Sequence, residues 1–221
     1  MQTFDTTTPI SVVLDIPAGR IQFVATDRTD TTVEVLPANA AKSRDVKAAE
    51  QTTVEYDGSV LRIEGLVKNQ ILGSSGYVDV TVNLPAGSQV EAKAASAEFR
   101  AAGRYGDFSY EGSHGGIELD QVGNVRVSTD AGDVSITRLD GSAEIRTTKG
   151  DIRITEAVRG TVVLRTQVGD VSVGAAPGVS ATLDAGTTLG RIDNTLKNAA
   201  DNPDLTIHAT TTTGDIAAHA L

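Results

Sequence analysis

Apolar side chains recur at every second position through three stretches that align without a gap: Val125 to Ile136, Ala143 to Ile154 and Val162 to Val173. Each reads apolar-x-apolar-x-Thr-x-x-Gly-Asp-apolar-x-apolar. A period of two places one side of an extended chain inward and the other outward, so each stretch predicts two short strands. The Gly-Asp pair between them predicts a turn, with glycine supplying an unusual φ and aspartate bonding local backbone. The glycine register continues through Gly115, Gly132, Gly150, Gly169, Gly190 and Gly214, and the interval between neighbours lengthens steadily along the series. Ala97 holds the same place one coil before Gly115. A second break follows each pair of strands, at Asp140-Gly141, Arg159-Gly160 and Pro177-Gly178.

One such coil cannot bury its apolar face alone, whereas stacked coils can. The pattern therefore predicts an all-β fold, a single-stranded parallel β-helix (β-solenoid) of about seven coils with an irregular N-terminal β cap; the pattern does not set the hand of the coil, and right-handed is a guess. At the strand spacing of about 4.8 Å, seven coils make a rod roughly 30 Å long. The rival is an antiparallel meander of tandem hairpins. It would bring one kind of turn once per strand, whereas the Gly-Asp corner returns once per pair of strands and alternates with a different one.

The division expected is 1-92, N-terminal β cap and early coils, then 93-221, the solenoid repeats. In the first part, Ile10 to Ile16 runs into Pro17-Ala18-Gly19, and Val78 to Leu84 runs into Pro85-Ala86-Gly87, a later echo of the same pattern. Thr32 to Leu36 and Val60 to Ile63 read as further strands, and Ala38 to Gln51 as a loop or one short helix. Asn198 to Pro203 reads as a loop interrupting the last coil. A cap is expected because an open end exposes apolar surface and unpaired backbone.

Composition agrees with a narrow, repetitive interior. Aromatic residues make up 4% of the chain, with no Trp and one Met, and 22 glycines. A compact core of this size draws on large aromatic anchors, whereas Val, Ile, Leu, Ala and Thr suit stacked strands. The acidic balance, −10 from 19 basic and 29 acidic residues, excludes nucleic acid as a partner, since that needs a basic stripe. The absence of cysteine removes disulfides, zinc fingers and thiol catalysis. No window approaches a membrane span, and Met1-Gln2-Thr3-Phe4-Asp5 is not an export signal. The expected location is cytoplasmic as the chain stands, and extracellular if an export segment has been removed.

Stacking turns sequence columns into ladders. Thr129, Thr147, Thr166, Thr187 and Thr211 are in phase with the inward residues, so they predict a hydroxyl ladder serving corner backbone groups. Glu98, Asp133, Asp151, Asp170 and Asp215 directly follow the glycine position, with Arg191 breaking the series. One carboxylate per coil is too few for Ca²⁺, which takes six to eight oxygens, so these read as turn caps splayed toward water. Arg126 beside Glu144 and Arg146 beside Arg165 read as a solvated outer face.

Catalytic motifs are missing. His114, His208 and His219 form no metal-binding spacing, and there is neither a phosphate loop nor a nucleophile elbow. Gly112-Ser113-His114-Gly115 reads as a glycine-rich corner. The expectation is no enzyme, and no catalytic, cofactor-binding or metal residue.

The series Gly-Asp-Val-Ser-Ile, Gly-Asp-Ile-Arg-Ile and Gly-Asp-Val-Ser-Val resembles the bacterial putative-adhesin family of unknown function. Its actinobacterial members are similar also at Phe4-Asp5-Thr6, Pro9-Ile10-Ser11-Val12, Ala25 to Asp30, Ala48 to Thr52 and Thr213-Gly214-Asp215-Ile216. The resemblance spans nearly the whole chain. It implies a β-solenoid and the label adhesin, and it supplies no catalytic residues. Many members are secreted or membrane-tethered. Three functions stay open: a binding or scaffolding module for an unknown protein or polysaccharide partner, a homo-oligomer stacking end to end, and a carbohydrate-active enzyme.

Overall fold

A computed structural model describes residues 1–65, 76–197 and 203–221. They form two compact units, Met1–Gly115 and Gly116–Leu221. The expected loop at Asn198 to Pro203 lies, but for Pro203, outside the described residues.

In the first unit β1 (Gln2–Asp5), β2 (Ser11–Thr26) and β3 (Asp30–Pro37) precede a helix, α1 (Ser43–Gln51), the one short helix that the sequence allowed. Then come β4 (Thr52–Tyr56), β5 (Val60–Gly65), β6 (Val78–Pro85), β7 (Gln89–Tyr105) and β8 (Phe108–His114). The echo between the two Pro-Ala-Gly segments does not carry into structure. Pro85-Ala86-Gly87 ends β6, whereas β2 runs straight through Pro17. Along one edge β2 pairs in parallel with β5 as far as Asp15, then with β6 from Gly19 onward. Its pairing with β7 on the other edge skips Pro17 too. Proline has no N–H to give a ladder, so it sits where β2 changes partner. A Cβ at Gly19 would stand 2.1 Å from the Val78 carbonyl oxygen, which is why the new partner can begin there.

Antiparallel pairings close this unit. β3 lies between β1 and β6, and β4 pairs with β5. The period of two in the sequence is the same for parallel and antiparallel strands, so it does not announce these pairings. The interior holds a cluster of large rings, with Phe99 in contact with Phe23, Phe108 and Tyr110.

The second unit is the expected parallel solenoid. It comprises β9 (Ile117–Val122), β10 (Val125–Ala131), β11 (Val134–Leu139), β12 (Ala143–Lys149), β13 (Ile152–Ala157), β14 (Gly160–Arg165) and β15 (Val171–Ala175). β16 (Ala181–Leu189), β17 (Ile192–Thr195), β18 (Leu205–Thr213) and β19 (Ile216–Ala220) complete it. The aligned repeats stack in the register of the sequence: Val127 on Ile145 on Leu164, and Val134 on Ile152 on Val171. All six side chains are at most 1% exposed.

The coils do not stack in chain order. β14 pairs with β18, and β18 pairs with β16. β15 pairs with β19, and β19 with β17. The C-terminal coil is therefore inserted between the two coils that precede it in sequence, and β16–β17 is the outermost. To leave that gap the chain must climb two rungs after β15, about 10 Å at the usual strand spacing. The Ala176-Pro177-Gly178-Val179 turn starts this climb, with Val179 N–H donating to Ala176 O at 3.1 Å and Gly178 at φ 82°.

Candidate functional site

The columns singled out in the sequence line the solenoid's corner. A Cβ at Gly150, Gly169, Gly214 or Gly190 would lie 1.9 to 2.2 Å from the carbonyl oxygen of the glycine one rung away, so the column is glycine because the stack leaves no room. The threonines face inward as expected: Thr129, Thr147, Thr166 and Thr211 are 5–6% exposed. Thr166 Oγ1 donates to Gly150 O at 3.1 Å, Thr211 to Gly169 O at 3.0 Å, and Thr187 to Gly214 O at 3.0 Å.

The aspartates are caps, but between coils and not within a turn. Asp151 N–H donates to Asp133 Oδ1, Asp170 N–H to Asp151 Oδ1, and Asp215 N–H to Asp170 Oδ1, at 2.7 to 2.8 Å. The last rung is Arg191, whose N–H donates to Asp215 Oδ1 at 2.8 Å and whose Nη2 lies 3.1 Å from Oδ2. Arg191 thus ends the ladder and does not interrupt it. These bonds, the backbone one foremost, hold the Asp215 carboxyl below its ordinary pKa. Among the described residues no three His, Asp or Glu side chains gather to hold a metal.

Coil order also makes a pair that the sequence could not offer. His208 Nδ1 lies 3.2 Å from Asp184 Oδ2, because β18 is laid beside β16. On the same outer face Glu144 meets Arg126 at 3.5 Å and Arg146 at 2.6 Å, which offsets the stacking of Arg146 on Arg165. Arg165, Asp184 and His208 line a cavity of about 470 Å³ on this face.

The first unit carries a larger feature, a groove of about 610 Å³ between the start of α1 and the outer face of β2, β6 and β7. Gly76 passes so close under α1 that a Cβ there would meet Arg44 O at 2.3 Å. Next, Tyr77 is clamped through its backbone: its N–H donates to Asp45 Oδ1 at 3.1 Å, and its carbonyl accepts from Ala38 N–H at 3.0 Å. Asp45 is 3% exposed, in the first turn of α1, where the helix dipole favours a carboxylate. The Tyr77 ring stays outside, 46% exposed, with its hydroxyl 3.3 Å from Ser96 Oγ. Across the strands Glu98, Arg20 and Asp79 stand side by side. Arg20 grips Asp79 with two bonds, at 3.0 and 2.7 Å, which push the guanidinium pKa further up. Arg20, Lys42 and Arg44 face Asp45, Asp79 and Glu98, so the lining is charge-balanced.

No sequence motif marks these groove residues. The repeat register sets Glu98 in the acidic column, and in the structure it lines this groove instead. The one available signal is Tyr77 itself, an aromatic set between a glycine and a strand in a chain with four Tyr and four Phe.

A model of the family described as Toastrack DUF4097 matches residues 11–220. Solved structures that share the fold include two putative adhesins. One is a putative adhesin from Bacteroides fragilis NCTC 9343, with a TM-score of 0.59, 13% identity, and coverage of 98% of this chain and 95% of that one. The other is a putative adhesin from Parabacteroides distasonis ATCC 8503, with a TM-score of 0.53, 14% identity and the same two coverages. Comparison with curated proteins gives no match. Among the described residues no helix is long and apolar enough to cross a membrane.

Proposed function

Since the chain belongs to the Toastrack DUF4097 family, we propose that it is a non-catalytic binding module that takes a neutral polysaccharide in the groove of its first unit. The observation that carries this reading is Tyr77, the one aromatic side chain among the exposed large apolar residues of the described chain segments. An exposed ring held by two backbone hydrogen bonds offers a flat apolar platform at little cost in side-chain entropy. The C–H face of a sugar ring stacks on such a platform. The flanking carboxylates and guanidinium take its hydroxyls, and a lining of balanced charge favours a neutral ligand over an anion. The name adhesin carried by two proteins of the same fold supports a binding role.

A glycan array followed by calorimetry on the best ligand tests the proposal. Tyr77→Ala should weaken binding at least about ten-fold, which corresponds to about 1.4 kcal/mol. Asp133→Asn, in the second unit, should leave binding unchanged. Wild-type affinity in Tyr77→Ala, or no glycan bound at millimolar concentration, refutes the reading.

A further inference from the structure

The two units finish their sheets differently. In the first, antiparallel strands β1 and β4 lie at the margins. In the second, β16 pairs with β18 and β17 with β19, and among the described residues no strand covers the other side. The core columns therefore run out into solvent. Ile192 continues the column of Ile117, Val134, Ile152, Val171 and Ile216, each at most 1% exposed, yet is itself 47% exposed. Leu183 is half-buried, where Ile207, Val162 and Ala143 in its column are buried. All four residues of β17 are exposed, as is Leu189 at 66%.

Edge strands that must stay single are guarded by lysine, proline or a bulge. β16 contains neither lysine nor proline, reading Ala-Thr-Leu-Asp-Ala-Gly-Thr-Thr-Leu with one charge, Asp184. Its first N–H, on Ala181, donates to Lys197 O at 3.0 Å, so the open stretch is its middle.

We propose that this edge is a homodimer interface, in which β16 of one copy pairs antiparallel with β16 of a second copy about a two-fold axis at Ala185. Three features select a second copy. A two-fold axis through a strand residue sets inward side chains opposite inward ones, so both cores continue across the junction. At Ala185, the middle of β16, Leu183 faces Thr187 of the second copy and Asp184 faces Gly186. An axis at the neighbouring Asp184 would instead oppose two carboxylates, which is destabilising. Finally, Ala185 and Gly186 leave the centre free of bulk. The proposal is independent of the glycan reading, since the groove lies in the other unit.

Sedimentation velocity across a concentration series tests it. The full chain should pass from monomer to a dimer of twice 22.9 kDa. Ile192→Lys, at a position already half in water, should weaken dimerisation at least ten-fold without lowering the melting temperature of the dilute monomer. The chain has no cysteine, so Ala185→Cys provides a second test that leaves the core intact. Directly opposed residues of an antiparallel pair have Cβ atoms about 4.5–5.5 Å apart, so mild oxidation should link Ala185→Cys chains as dimers. A Ser135→Cys control on the outer surface should stay monomeric in denaturing gels. A monomer at all concentrations, a dimer indifferent to Ile192→Lys, or no cross-link in Ala185→Cys overturns the proposal.

Discussion

Three glycine-to-alanine substitutions separate two reasons for glycine in a stacked fold. At Gly169, φ is 149° and an added Cβ would stand 2.1 Å from Gly150 O. Both atoms are pinned, since Gly150 N–H donates to Val168 O and Gly169 N–H to Thr213 O, each at 2.9 Å. At Gly178, φ is 82° but nothing lies within 4 Å of the added carbon. At Gly186 there is neither a positive φ nor a neighbour within 4 Å. Backbone strain alone costs of order 1–3 kcal/mol. Forcing a carbon into a packed site adds about 1–3 kcal/mol more. Alanine in place of a strand glycine gains roughly 0.5–1 kcal/mol. Gly186→Ala should therefore be neutral or stabilising and Gly178→Ala mildly destabilising. Gly169→Ala should cost about 2–6 kcal/mol, a fall in melting temperature of very roughly 5–20 °C for a domain of this size. Calorimetric melts of the three purified variants at one low concentration measure the order. If Gly169→Ala melts within about 2 °C of wild type, or no lower than Gly178→Ala, then close approach between rungs is not what fixes the glycine column.

Four further outcomes are expected. Tyr110→Phe should hold or raise stability in thermal melts, because the Tyr110 hydroxyl has no partner among the described residues and burial pushes its pKa up to about 12. Ile152→Asp should unfold the second unit by circular dichroism, since an unpaired buried charge costs several kcal/mol, whereas Ser135→Asp on the outer surface should be nearly silent. Asp151→Asn keeps an oxygen for Asp170 N–H and should be near neutral, Asp151→Ala should lose about 1 kcal/mol, and millimolar Ca²⁺ should move the melt of chelator-treated wild type by less than about 2 °C. In acid, Asp30, Asp57 and Asp215 have folded pKa values lowered by their hydrogen bonds. Their stabilisation is full above the unfolded pKa near 4 and is lost as pH falls through the folded values, so melts in Asp215→Asn should show a shallower loss below about pH 4.

The middle of the chain was legible because one physical cause acts once per rung. Inward alternation, the Thr hydroxyl and the Gly-Asp corner all recur from Val125 to Val173, and the register they imply is the register of β10 to β15. The first unit was less legible because its devices are used once. Pro17 marks a change of partner and not a turn, and only the start of β6 beside Gly19 reveals this. The groove was hidden for the same reason. Tyr77 is distant in sequence from both Asp45 and Arg20, and no repeat joins them. Their meeting depends on where α1 settles.

Coil order was illegible for a different reason. In a parallel stack each rung presents the same apolar column, the same corner glycine and the same inter-rung hydrogen bonds. Leu183 would stack on Val162 about as well as Ile207 does, so alternation alone cannot rank the two arrangements. What ranks them is the end. Each aspartate oxygen accepts from the N–H of the next rung. With the coils in chain order, Arg191 would divide Asp170 from Asp215. As they stand, the aspartates are consecutive, and Arg191 closes the series with its own N–H and guanidinium on Asp215. The residue that broke the column in sequence is thus the one suited to the outermost rung. The same placement puts Leu189 and Ile192, which flank the corner, at the exposed edge, so the topology that satisfies the inter-rung hydrogen bonds also creates the surface assigned to a second copy.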